Sequence, residues 1–247
     1  MTSATRQAPL LTAHGISKRF NALVVLDAVD FSAEKGEAIG IVGPNGAGKT
    51  TLFNVLSGAY SPNSGSIRYQ GQDVTLLGAA ARCQIGIARS HQIPRPFGGM
   101  TVFENLHVAA AVGAGLTGAA ANDLCLDALD LCGMLHMANR RADTLGLLDR
   151  KRLEMARALA TSPQLLLLDE IGGGLTDSEA YELVAIIQEV LRRGITIVWI
   201  EHIVHVLLQV VGRLVCMDAG RIIADGDPKT VMHDPTVVEA YLGTVSV

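Results

Sequence analysis

Residues 37–51 read EAIGIVGPNGAGKTT, and this stretch decides the fold. Its first six residues are an apolar run without alternation, ending at a glycine-rich loop, which is the pattern of a buried strand. Gly43, Pro44, Asn45, Gly46, Ala47, Gly48, Lys49 and Thr50 match G-x-x-x-x-G-K-[ST], and Thr51 follows. Each part has a task. Glycines permit positive φ, so backbone N–H groups turn inward as an anion nest. The helix predicted over residues 48–57, with Gly58 ending it, adds partial positive charge at its N-terminus. The Lys49 ammonium reaches β- and γ-phosphates, and the Thr50 hydroxyl is a ligand for Mg²⁺. A glycine-rich turn that merely reverses the chain is the alternative, and a position between strand and helix argues against it.

A metal held at such a loop needs a carboxylate from a second strand end. LLLLDE, residues 165–170, supplies it on a strand with no alternation, hence buried on both faces. Asp169 is expected to hold Mg²⁺, through water, and Glu170 to polarise the attacking water as general base. ITIVWI, residues 195–200, is another buried strand, and His202 lies just past it. Strand ends of this kind converge on one crevice, so His202 is a candidate hydrogen-bond partner for the γ-phosphate. A capping or surface histidine is the other reading. His205, one turn on, suggests a metal pair, but no further ligand is near it.

Outward from these landmarks, GSIRYQGQDV (65–74) alternates and turns at Gly71, reading as antiparallel strands. Residues 101–141 are Ala- and Leu-rich and helical, interrupted by Gly113, Gly115 and Gly118. KRLEMARALA (151–160) is a helix. SEAYELVAIIQEVLRRG (178–194) places Leu183, Ile186, Ile187, Val190 and Leu191 on one helical face. RLVCMDAGRIIADG (213–226) reads as a closing hairpin, and short helices finish the chain. Strands alternating with helices predict an α/β parallel sheet.

The 247 residues carry 20 basic and 24 acidic side chains, a net charge of −4, without the basic excess of a nucleic-acid binder. Residues 106–121 are the best membrane-span candidate. They are too short, rich in Gly and Ala, and carry His107, where a span needs about 20 apolar residues. The N-terminus has no secretory core. A cytoplasmic protein that reaches a membrane only through partners is expected. Cys83, Cys125, Cys132 and Cys216 form no C-x-x-C pair and are expected to be buried, reduced thiols.

GPNGAGKTT, LLLLDE, IEH (200–202) and the helix RKRLEMARALA (150–160) occur in an order and spacing that resemble the nucleotide-binding subunit of an ABC transporter over nearly the whole chain. The resemblance implies the fold of an ABC ATPase: a P-loop NTPase-type, mostly parallel sheet core with an antiparallel β subdomain and a helical lobe. Residues 9–247 are then one ABC ATPase domain, with 1–98 and 163–247 forming the nucleotide-binding core and β subdomain and 99–162 the lobe. It implies ATP and Mg²⁺ as cofactors, ATP hydrolysis coupled to transport, membrane permease subunits as partners, and a peripheral place on the inner face of the cell membrane. By the same resemblance Gln92 in ARSHQIPRPF senses Mg²⁺ and water and faces the membrane subunit. Phe20 resembles the aromatic that stacks on adenine, although a core phenylalanine reads the same. GGLTD (173–177) resembles the loop that crosses to a second ATPase subunit. The loop around Pro94, Pro96 and Phe97 offers an apolar contact surface, or packs on the lobe. ISKRFNALVVLDAVDF (16–31), TTLFNVLSG (50–58) and DPTVVEAYLG (234–243) are similar to the ATPases of branched-chain amino-acid importers, whose relatives carry amino acids or related small amides and acids. A non-transport ABC ATPase and a nucleotide-binding structural subunit with weak hydrolysis are the alternatives.

Before the RKRLEMARAL helix the family normally reads L-S-G-G-Q. Here Leu145, Gly146, Leu147, Leu148 and Asp149 stand in its place. In the family this segment reaches across a dimer to the other subunit's γ-phosphate. The serine hydroxyl is gone, two glycines have become bulky leucines, and an aspartate near a triphosphate would repel it. A related ATPase that supplies an intact segment, in a heterodimer with this chain, is therefore expected. Ile171 replaces a common proline with little expected consequence, and the run Gly172-Gly173-Gly174 predicts a more mobile crossing loop.

Overall fold

A computed structural model describes residues 8–242; Gly243, the last residue of the third importer-like segment, lies outside them. Strands β1 (Leu11–Phe20) and β2 (Leu23–Ala33) form an antiparallel hairpin that turns at Asn21, whose φ is 53°. β3 (Ala38–Val42) leads into the glycine loop and helix α1 (Lys49–Leu56). Helix α1 ends at Ser57, with Gly58 beyond it at φ 78°. β4 (Ser64–Tyr69) and β5 (Gln72–Asp73) turn through Gln70 and Gly71, both at positive φ. The sheet β2-β1-β4-β5 is the antiparallel layer.

Helix α2 (Ala79–Gln84) and strand β6 (Ile87–Arg89) come next. The helical lobe holds α3 (Val102–Val112) and α4 (Gly118–Leu131), with a break over residues 113–117 where glycines were expected to interrupt it. Then follow α5 (Leu147–Leu159), β7 (Leu165–Asp169), α6 (Asp177–Arg192), β8 (Thr196–Ile200) and the short α7 (Val204–Leu207). Strands β9 (Arg213–Asp218) and β10 (Arg221–Gly226) form the closing hairpin, before α8 (Pro228–Met232) and α9 (Pro235–Leu242). The main sheet runs β10-β9-β3-β8-β7-β6, parallel except for the edge strand β10.

Because side chains alternate across a strand, this sheet feeds two cores. Leu166, Leu168, Ile197 and Trp199 point to the layer shared with the lobe and α6. Leu165, Leu167, Val198, Ile200, Ile39 and Ile41 point to the layer shared with α1 and the antiparallel sheet. The C-terminal ends of β3, β7 and β8 open on one edge, which puts residues 43–50, 169–170 and 201–202 side by side. No helix among the described residues is long and apolar enough to cross a membrane. The four cysteines are free, with Cys125, Cys132 and Cys216 buried and Cys83 half-buried.

Candidate functional site

The glycine loop is shaped by what surrounds it. Gly43 has φ 146°, and a Cβ there would stand 2.1 Å from the Met217 carbonyl oxygen; Gly48 has φ 100°, and a Cβ there would meet the Val25 carbonyl at 2.7 Å. Larger residues at either position would push the loop off β9 or β2. Lys49 is buried, and its ammonium donates to the carbonyls of Gly43 at 2.7 Å and Pro44 at 2.9 Å. Burial lowers its pKa, and the charge of Glu170 opposes that shift most. Above the loop lies a cavity of about 260 Å³ lined by Val25, Asn45, Gly46, Ala47, Gly48, Lys49, Thr50, Thr51, Glu170 and His202. Phe20 does not line it. Its ring meets Tyr60 edge-on at 5.4 Å, with the Lys18 ammonium 5.3 Å from its centroid.

Glu170 has left-handed backbone, φ 47°, and its N–H donates to the Ile200 carbonyl at 2.9 Å. That conformation is unusual for a non-glycine residue. It turns the carboxylate toward His202 Nε2, 2.8 Å from Oε1, and toward the Gln92 amide, which donates to Oε2. Glu170 is therefore bonded to both Gln92 and His202, although the three come from three loops. Asp169, at the end of β7, pairs through Oδ2 with Arg89 of β6 at 2.6 Å, and Arg89 also donates to Asn54 Oδ1. Asp169 Oδ1 has no hydrogen bond among the described residues. The Thr50 hydroxyl likewise has none, so two hard oxygen donors suited to Mg²⁺ remain unspent. His205 lies 4.0 Å from Asp177, and no cluster of metal-binding side chains occurs among the described residues.

The helices differ in how their N-termini are capped, and α1 and α5 share with α2 and α4 the absence of a side-chain cap. Helices α3 and α6 begin with capping boxes, Thr101 with Glu104 and Thr176 with Glu179. Helices α1 and α5 begin after Gly48 and Gly146 with no side-chain cap, so their first N–H groups stay available. Around Gly146 the segment 145–149 is less obstructed than its letters suggest. Leu145 is buried, Leu148 packs on the core, and only Leu147 stands out, 47% exposed. Asp149 does not carry a free charge toward that end: Arg152 pairs with it at 3.8 Å and with Glu182 as well. The repulsion expected from Asp149 is thereby reduced. In the glycine run 172–174, expected to make the crossing loop more mobile, the Gly172 N–H donates to the Glu201 carboxylate at 2.9 Å.

The family profile described as ABC transporter matches residues 26–172, well over half of the chain. The chain belongs to the ABC transporter family. It is an ATP-binding subunit of an ABC transporter and an ATPase, a component that works with membrane permease subunits. A second profile, described as branched-chain amino acid ATP-binding cassette transporter, matches residues 221–246. The high-affinity branched-chain amino acid transport ATP-binding protein LivG of Escherichia coli (strain K12) is 35% identical over 250 residues, covering 95% of this chain and 98% of LivG. Its counterpart BraF of Pseudomonas aeruginosa is 33% identical with the same coverage. The ADP conformation of MJ1267, an ATP-binding cassette of an ABC transporter, superposes with a TM-score of 0.88 at 31% identity, covering 96% of this chain and all of that one.

Several residues of this ABC ATPase site escaped the sequence reading. Arg89 holds Asp169. Glu154 of α5 accepts the N–H groups of His91 at 3.3 Å and Arg95 at 3.4 Å, and buried Asn105 of α3 accepts that of Phe97 at 2.8 Å, so the lobe grips both flanks of Gln92. Phe97 is exposed on one side, and the Arg157 guanidinium of α5 lies over its ring at 5.0 Å. Tyr241 of α9 accepts the Gly43 N–H at 2.8 Å, tying the C-terminal helix to the start of the phosphate loop. Burial pushes its phenol above the usual range, so it stays neutral.

Proposed function

We propose that this ATPase drives import of branched-chain amino acids or related small amides or acids. Support comes from the C-terminal profile and from similarity to LivG and BraF. One observation carries the catalytic assignment: Lys49, Glu170 and His202 line one cavity, with Gln92 bonded to Glu170. In this reading residues 43–51 bind the phosphates through backbone N–H groups and Lys49. Glu170 takes the proton of the attacking water. His202 orients Glu170 and bonds the γ-phosphate, and Gln92 relays occupancy to the permease side. Thr50 and Asp169 would hold Mg²⁺ with Gln92 nearby, and the ion would neutralise charge on the transferring phosphoryl group. Phe20 is the candidate for adenine stacking.

The subunit lies peripherally on the inner face of the membrane. A groove lined by Ala79, Cys83, Arg89, His91, Glu154 and Arg157, adjoining a second hollow lined by Phe97 and Val112, is the docking face for a permease helix. A second, related ATPase completes a heterodimer. Its intact segment serves the site built on Lys49, while residues 145–149 serve the partner's nucleotide less well, since Leu147 stands where the family has glycine. The test is ATP-driven substrate uptake by the assembled transporter, with Glu170→Gln introduced here and its equivalent in the partner. Unequal losses support the heterodimer with unequal sites. Equal losses contradict it, and uptake unaffected by Glu170→Gln would favour the structural-subunit reading that the altered segment raises.

A further inference from the structure

Glu201 is a buried carboxylate to which the phosphate chemistry above gives no task. It is 2% exposed, between the last residue of β8 and His202. Its Oε1 accepts the N–H of His202 at 2.9 Å and that of Ile203 at 3.4 Å. Its Oε2 accepts the N–H of Gly172 at 2.9 Å. One side chain thus grips the loop that follows Glu170 with one oxygen and the loop that carries His202 with the other. The fit is close. A Cβ at residue 172 would stand 2.8 Å from Oε2, so glycine is what admits the carboxylate.

Two further features belong to the same cluster. Glu170 holds its left-handed backbone two residues before Gly172, so the Glu201 contact fixes the far side of that turn. Lys151, buried on α5, brings a cation to it: burial lowers the pKa of its ammonium, and the charges of Glu201 and then Glu170 oppose that. Helix α5 begins with the segment expected to face the other subunit's nucleotide. The Glu201 carboxylate therefore joins the crossing loop and the histidine loop, and the Lys151 ammonium of α5 adds an attractive charge without a direct ion pair.

We propose that Glu201 is a positioning residue for hydrolysis, setting Glu170 and His202 in register by accepting from Gly172 and His202 at once. The inference rests on the reading of Glu170 as general base. A glutamine at 201 has the same size but one acceptor oxygen, so it can keep only one of the two loops. A base moved by a fraction of an ångström to 1 Å loses up to about a hundredfold in rate. Glu201 makes no hydrogen bond to residues 43–51, which carry most of the phosphate contacts, so ATP affinity is expected to change far less than kcat even though His202 is displaced.

The experiment measures steady-state ATPase activity of the assembled transporter, with ATP affinity and thermal midpoint, for Glu201→Gln, Gly172→Ala and Glu201→Asp. The first two are expected to lower kcat about ten- to a hundredfold while KM for ATP stays within about threefold. Glu201→Asp keeps both acceptors and is expected to recover part of the loss. Parent-like kcat in both Glu201→Gln and Gly172→Ala would overturn the proposal, as would a fall in ATP affinity that matches the fall in kcat. Should Glu201→Gln not fold, Gly172→Ala decides by the same criteria. Glu170→Gln is run alongside: if it keeps parent-like kcat, the general-base reading itself fails, whereas if it abolishes turnover while the other variants do not slow it, only the positioning role fails.

Discussion

Arg82 is fully buried on α2, and its guanidinium gathers carbonyls rather than carboxylates. Nη1 donates to Val55 at 2.8 Å and Leu56 at 2.7 Å, Nη2 to Val74 at 2.7 Å and Thr75 at 3.1 Å, and Nε to Leu77 at 3.0 Å. Val55 and Leu56 end α1, the helix whose other end opens the phosphate loop. Arg82 thereby acts as the C-terminal anchor of that helix. Two effects oppose each other when it is replaced by methionine. Burial of the charge is costly, which lowers the Arg82 pKa to about 10, and methionine removes that cost. Against this, the carbonyls lose their donor. Val55 also accepts from Gly58 and Val74 from Leu77, but Leu56, Thr75 and Leu77 have no second partner among the described residues. Water can reach the exposed Leu77 and half-buried Thr75, but not Leu56.

One fully buried orphan carbonyl at about 1–3 kcal/mol, plus weakened bonds at the other four, gives a net loss of about 3 kcal/mol for Arg82→Met. For a chain of this size that corresponds to a fall in Tm of about 6–12 °C. Arg82→Lys keeps the charge but not the five-donor fork and is expected to fall between. Urea unfolding followed by circular dichroism measures it. A loss under about 1 kcal/mol for Arg82→Met would refute the reasoning, because it would mean that relief of the buried charge largely offsets the lost donors.

Tyr241→Phe removes the acceptor of the buried Gly43 N–H and is expected to cost about 1 kcal/mol, read as a roughly fivefold weaker ATP Kd in an equilibrium titration; an unchanged Kd contradicts the coupling of α9 to the loop. Arg89→Met strands Asp169, whose side chain is 4% exposed, and is expected to destabilise the nucleotide-free protein by about 3–5 kcal/mol. Mg²⁺ with ATP should then raise the variant's Tm by more than it raises the parent's, and equal increments in calorimetry would contradict the assignment of Asp169.

The strands that bear the chemistry were legible because burial on both faces leaves unbroken apolar runs, as in residues 165–168 and 197–200. The phosphate loop was legible because its geometry admits few residue types. The β1–β2 hairpin was not read as strands, since register shifts after Ala13, Ile16 and Lys18 break its alternation. β6, three residues long, is too short to show a period. Site residues were missed where a side chain's task is set by a distant partner. Arg89 and Asp169 are 80 residues apart, and Tyr241 and Gly43 are 198 apart. Glu201 was read only as part of a motif, since nothing local says that its carboxylate turns back to Gly172. The changes at residues 145–149 were visible, but their direction was not: Leu148 turns inward and Arg152 pairs with Asp149.

The central claim is that the loop around Lys49 binds ATP and that Glu170 activates the water that cleaves it. A single-turnover measurement on the assembled transporter, with radiolabelled ATP, reads bound and cleaved nucleotide in one sample. The account predicts that Lys49→Ala loses binding, whereas Glu170→Gln retains bound ATP but cleaves it at least about a hundredfold more slowly. Parent-like binding by Lys49→Ala, or parent-like cleavage by Glu170→Gln, would contradict it.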